Sequence, residues 1–210
     1  MKYGQLPLVI GDMEIPQSEM FFYQYLPVKF SGDIDIRIEK RLEKFNDLIG
    51  MVGCDFVANY GLQRFRDSFV YLTAKNLFVQ NGKNYNREGW HSDGFMTDDV
   101  NYVWSDSFPT EFVYGEFDVV QDDRQSLSEF DKIGGSNKII TYPNNSVIRM
   151  DQFVIHRCGE ITESKIRQFA KISISKDIYD LVGNSHNYLF EYDWEMRPRG
   201  KDRNIPQKLQ

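Results

Sequence analysis

Trp90-His91-Ser92-Asp93 lies near the middle of the chain, and His156 closes the apolar run Phe153-Val154-Ile155 well downstream. On an extended backbone alternate side chains share a face, so His91 and Asp93 can address one point. Two imidazoles and one carboxylate can take three adjacent positions on an iron(II) ion and leave the rest open to small ligands. The chain has three histidines and two fall in this pattern; the third, His186, is assigned no metal role. Gly89 and Gly94 flank the motif, where glycine lets the backbone turn tightly around an ion. The His-x-Asp spacing alone is a weak signal in an acidic chain. Its weight comes from this setting and from His156.

A second pattern follows in Ile166-Arg167-Gln168-Phe169-Ala170-Lys171-Ile172-Ser173. In a strand the odd positions put Arg167, Phe169, Lys171 and Ser173 on one face, and the even positions put Ile166, Ala170 and Ile172 on the other. An unpaired buried cation is costly. The odd face therefore either meets an anion or faces solvent, and alternation alone leaves both open.

These residues need a scaffold. Residues 1–30 read as aromatic and irregular, punctuated by Pro7, Pro16 and Pro27. Ile38, Leu42, Phe45 and Ile49 recur at helical spacing and predict a helix over 35–50, with Asp33 or Asp35 as cap and Gly50 as stop. Its apolar stripe must pack on something, most simply the outside of a sheet. Strands are expected at 68–80, 101–104, 111–120, 138–142, 146–150, 152–157 and 166–175, with turns at Asn81-Gly82 and Pro143-Asn144-Asn145. A short helix is expected over 126–133. Many short strands after one helix predict a mainly β fold, an antiparallel sandwich or barrel.

The aromatic share of 15% agrees with a β-rich fold. A net charge of −6 supplies no global basic field for a phosphate backbone and argues against nucleic acid as partner. Residues 196–210, with Arg197, Arg199, Lys201, Arg203 and Lys208, read as a basic surface tail. Cys54 and Cys158 are too few for a disulfide framework. No apolar run reaches the ~20 residues of a membrane span, and no secretory pattern opens the chain. The expectation is a cytoplasmic protein without a membrane partner.

In these segments the chain resembles the Fe(II)/2-oxoglutarate-dependent dioxygenase family, over roughly residues 69–175. Trp90-His91-Ser92-Asp93 resembles the phytanoyl-CoA-dioxygenase branch, and the short length is more like the prolyl-hydroxylase branch. The resemblance implies a double-stranded β-helix, or jelly roll, over residues 1–195, with helices outside a sheet. It implies His91, Asp93 and His156 as ligands to Fe(II), and Arg167 as anchor for the far carboxylate of 2-oxoglutarate. Lys171-Ile172-Ser173 resembles the Arg-x-Ser form of other branches, so Lys171 and Ser173 compete for or assist in that role. Asn76 is a further candidate for the oxo acid. The implied activity consumes O2 and 2-oxoglutarate, releases succinate and CO2, and hydroxylates a substrate C–H bond.

Tyr85, Arg87, Trp90, Phe95, Tyr102, Trp104 and Arg157 flank the triad in sequence and are candidates for substrate contacts. The substrate, a small molecule or peptide, is not named by any residue pattern. Two other classes share the ligands: a cupin-like metalloenzyme that does not use 2-oxoglutarate, and an inactive jelly-roll binding module.

Overall fold

The computed structural model describes residues 2–83 and 89–199. It is mainly β. Nine strands run in chain order as β1 (Leu8–Asp12), β2 (Phe21–Lys29), β3 (Phe69–Val79), β4 (Val100–Ser105), β5 (Glu111–Val113), β6 (Ile139–Thr141), β7 (Ser146–Met150), β8 (Ile155–Arg157) and β9 (Lys165–Ser175). Six of them form one antiparallel sheet in the order β1-β7-β4-β9-β3-β2, and three form a small sheet in the order β6-β5-β8. Helices α1 (Asn46–Tyr60), α2 (Leu62–Arg66) and α3 (Gln125–Ser136) and a 3-10 helix (Lys40–Phe45) complete the regular elements among the described residues.

Alternation along the long central strands divides the large sheet into two unlike faces. The register pairs Leu72 with Ile172 and Ala74 with Ala170, and β4 adds Tyr102 and Trp104 opposite Ile172 and Ala170. Leu48, Ile49, Val52 and Phe56 of α1 pack on this even-numbered face to form the main core. The same ladder sets Thr73 beside Lys171 and Lys75 beside Phe169 on the opposite face. There a smaller apolar cluster of Val103, Phe112, Ile148, Met150 and Val154 joins the two sheets.

The helix lies further along the chain than its periodicity suggested. Residues 40–45 form only a 3-10 turn, and the α-helix runs on through Gly50 to Tyr60. Gly50 has open space where a side chain would stand, so it sits on the outer side of α1 at modest cost. Asp33 does not cap the helix; its carboxylate accepts from the amides of Ile34 and Asp35 in a local turn. The stop is Gly61, whose φ of +88° suits glycine.

The N-terminal segment is also more regular than its prolines imply. It supplies β1 and β2, the two edge strands of the large sheet. An edge strand tolerates a residue without an N–H, and β2 carries Pro27 beside register shifts between Tyr23 and Leu26 and between Pro27 and Lys29. The strand expected over 111–120 ends at Val113. The turns at Asn81-Gly82 and before β7 form as expected, with Asn145 at φ +67°. No helix among the described residues is long and apolar enough to cross a membrane, and Cys54 and Cys158 form no disulfide.

Candidate metal centre

His91 and His156 come from separate segments tied together by their own backbones. His91 N–H donates to the carbonyl of His156 and His156 N–H donates to that of His91, both at 2.9 Å. A reciprocal pair of this kind puts both side chains on one side of the ladder. The imidazole centroids are 4.6 Å apart. Asp93 follows on the same side, and its Oδ2 lies 3.6 Å from His156 Nε2. One ligand atom from each of His91, Asp93 and His156 falls within 4.8 Å of the others, and the three could hold a metal ion.

The tautomers fit that role. His91 Nδ1 lies 3.0 Å from the Gly89 carbonyl and His156 Nδ1 lies 3.2 Å from the Val154 carbonyl. A carbonyl only accepts, so both rings carry their proton on Nδ1 and turn the Nε2 lone pair inward. The 3.6 Å between His156 and Asp93 is close to the roughly 3.0–3.4 Å separating adjacent ligands held ~2.1 Å from one ion. Gly89 and Gly94 have φ of +80° and +68°, so both bends around the motif use conformations that favour glycine.

Asp93 is kept ionised. Burial alone would raise its carboxyl, but the adjacent Lys171 ammonium holds it well below the usual carboxylate range. Lys171 donates to Asp93 Oδ2 at 2.9 Å and to the Tyr25 hydroxyl at 3.1 Å. Burial would lower the Lys171 ammonium, yet Asp93 and Tyr25 raise it, so the pair stays charged. Lys171 thus orients the only anionic donor of the triad.

A cavity of about 420 Å³ opens on these groups. Its walls include Phe22, Tyr25, Lys75 and Phe169 besides the triad and Lys171. Among the described residues four cations line it, Lys75, Arg157, Lys171 and Arg199, against the single carboxylate of Asp93. A positive cavity in a chain of net charge −6 is a local arrangement for an anion.

The other expected site residues divide sharply. Arg167 is buried and is not among the residues that line the cavity; its guanidinium lies over the Phe169 ring and donates to the carbonyls of Ser107 (2.8 Å) and Phe108 (3.0 Å). Ser173 donates to Asn101 Oδ1 at 2.6 Å and lies outside the cavity lining. Asn76 stands on the opposite face of the sheet, where it donates to the carbonyls of Ser18 and Glu19. An even-numbered residue of β3 cannot reach the cavity without a register slip.

Tyr102 and Trp104 are on that same helix-covered face, bonded to Asp55 and to the Met13 carbonyl. Trp90 and Phe95 belong to an aromatic cluster under α3 with Phe130 and Tyr3. Arg157 does line the cavity, stacked 4.7 Å over Trp90 and paired with Glu111. Tyr85 and Arg87 lie outside the described residues. His186 packs against Tyr188 and Tyr192, with no part in the triad.

Several positioning groups carry no motif. Asp131 of α3 accepts from the Trp90 amide at 2.7 Å, and a side chain at Gly134 would collide with the Trp90 indole. Helix α3 therefore fixes the residue next to His91. Lys75 and Tyr25 face the cavity from β3 and β2; for Lys75 the odd-numbered register shared with Lys171 was the available signal. No family model matches the sequence, and no curated protein matches it either.

Proposed function

We propose that the chain is an Fe(II)- and 2-oxoglutarate-dependent oxygenase that hydroxylates a C–H bond of a small substrate. The observation that carries this reading is the His91-Asp93-His156 cluster with inward Nε2 atoms at the floor of a cation-lined cavity. Two imidazoles and one carboxylate on one side of an ion form the facial arrangement that suits non-haem iron(II).

The strand order supports a double-stranded β-helix. From Phe69 onward the chain alternates between sheets: β3 in the large one, the His91 bridge beside β8 in the small one, then β4 in the large and β5 and β6 in the small. It continues with β7 in the large sheet, β8 in the small and β9 in the large. A jelly roll winds in this way.

When bound, iron(II) and 2-oxoglutarate supply the dioxygen chemistry that yields succinate, CO2 and the hydroxylated product. The chain's own contribution is orientation and shielding. His91, Asp93 and His156 hold one side of the ion, with Lys171 fixing the Asp93 carboxylate. The anchor for the far carboxylate of the oxo acid moves from Arg167 to the cavity cations Lys171 and Lys75, because these two line the cavity and Arg167 does not. Phe22, Tyr25 and Phe169 narrow the cavity and exclude water.

Anaerobic titration tests the reading. Fe(II) and 2-oxoglutarate together should produce a weak visible charge-transfer band that neither produces alone. Iron binding without any response to 2-oxoglutarate would replace the proposal with a cupin-like metalloenzyme; binding of neither would leave a binding module. Lys171→Ala should raise the 2-oxoglutarate requirement far more than Arg167→Ala. The reverse order would return the anchor to Arg167.

A further inference from the structure

The segment after β9 returns to the cavity mouth and is held there in register. Ser185 N–H donates to the Gln24 carbonyl at 2.7 Å, and Gln24 N–H donates to Ser185 Oγ at 2.9 Å, which fastens this segment to β2 beside the cavity. Leu181 and Arg197 form a parallel bridge, and the Arg197 guanidinium grips Asp180 through two bonds of 2.6–2.7 Å. Met196 to Arg199, the start of the basic surface tail, therefore lie along residues 180–184.

This arrangement delivers Arg199 to the cavity wall. Its Nε donates to the Val182 carbonyl at 3.2 Å and its second terminal nitrogen to Asn184 Oδ1 at 2.6 Å. Both acceptors are neutral, and no carboxylate pairs with Arg199 among the described residues. The other cavity cations are differently committed. Lys171 is paired with Asp93 and Arg157 with Glu111. A guanidinium has five N–H donors, and two contacts leave three to offer a ligand. A planar fork held by its own hydrogen bonds, half-buried beside a cavity, suits bidentate capture of an anion.

We propose that Arg199 is a substrate-binding residue and that the substrate of this site carries an anionic group, a carboxylate or phosphate ester, which the guanidinium clamps at the cavity mouth. This rests on the oxygenase reading for the rest of the cavity. The far carboxylate of the co-substrate goes to Lys171 and Lys75 on the central strands, so Arg199 is left for the second ligand. The terminal segment then acts as a specificity element, distinct from the groups that hold metal and oxo acid.

Calorimetric titration of the full chain tests this, with and without anaerobic Fe(II) and 2-oxoglutarate. The probes are hexanoate and phenylacetate, their neutral counterparts hexanamide and phenylacetamide, and phenyl phosphate. The acids or the phosphate should bind and the amides should not; which anion binds identifies the group. Arg199→Gln should weaken anion binding about 10- to 100-fold, the loss expected for hydrogen bonds to a charged group. Arg199→Lys should keep the preference for anions at reduced affinity, and both variants should keep the visible band formed with Fe(II) and 2-oxoglutarate. Equal binding of acids and amides, no binding of any anion, or unchanged anion affinity in Arg199→Gln overturns the assignment. Loss of the band in Arg199→Gln would make Arg199 a co-substrate anchor and equally overturn it. If the native protein gives no band, the oxygenase reading fails, and the titrations without 2-oxoglutarate still decide Arg199.

Discussion

The two faces of the six-stranded sheet are made by the same strands, one residue apart, and they obey opposite rules. On the even-numbered face Leu72, Ala74, Ala170 and Ile172 meet α1, and each is at most 1% exposed. On the odd-numbered face Thr73, Lys75, Phe169 and Lys171 meet a cavity and a cluster of metal-binding type. The first face gains stability from removing apolar surface from water. The second gives up that gain, keeps charge in a confined space, and compensates by pairing Lys171 with Asp93. The helix-covered face carries the fold and leaves the other free to hold charged groups around a cavity.

The largest effects should come from the triad. Alanine at His91, Asp93 or His156 removes one of three donors, so the loss of Fe(II) affinity should exceed the ~10- to 100-fold typical of losing an outer partner. Circular dichroism should stay unchanged. A variant with native affinity would show that the odd face does not hold the metal through that residue.

Phe56→Ala perturbs the helix-covered face instead. Phe56 is fully buried on α1 against the even face. Its truncation should cost about 3–5 kcal/mol in denaturant unfolding. Metal affinity of the remaining folded protein should not change; a large change would mean that the two faces are not separable.

Lys171→Met should cost about 2–3 kcal/mol without metal, below the value for a dry pair because both side chains keep some exposure. The pH dependence follows from Asp93, whose carboxyl is held below its unfolded value. Its stabilising contribution is complete above the unfolded pKa of ~3.9 and fades as pH falls toward the folded one. Acid unfolding curves of Lys171→Met should show less of this loss. An unchanged acid profile would mean that Lys171 does not stabilise the Asp93 carboxylate.

The smallest effect concerns Lys75, whose ammonium burial pushes down to about 8, with Arg167 and Lys171 acting in the same sense and Cys158 opposing. An anion prefers the protonated form, so 2-oxoglutarate binding should be level below about pH 8 and weaken above it, by up to about tenfold per unit. Lys75→Met should flatten that dependence. A profile that stays level in the native protein would remove Lys75 from the anchor.

The sequence by itself picked out the three side chains that the structure brings together and that could hold a metal ion. Residue type and a spacing of two identify His91 and Asp93 as neighbours on one face, and alternation within 166–173 separates Lys171 from Ala170 and Ile172. The long central strands were legible for the same reason, since a period of two leaves a mark in the residues themselves. Helix α1 runs past its expected end because Gly50 reads as a stop, whereas packing on the sheet, with Phe65 against Gly53, outweighs glycine's low propensity.

Only the tertiary structure decided which candidate met which partner. Arg167 and Lys171 share a strand face, but the approach of Ser107 and Phe108 occupies the first, and the approach of Asp93 holds the second. Asn76, Trp104 and Tyr102 lie near the motif in sequence, yet register puts them across the sheet. Arg199, at the far end of the chain, reaches the cavity because residues 180–185 carry its segment back to β2. Local pattern records which way a side chain faces; what stands opposite depends on contacts between distant parts of the chain.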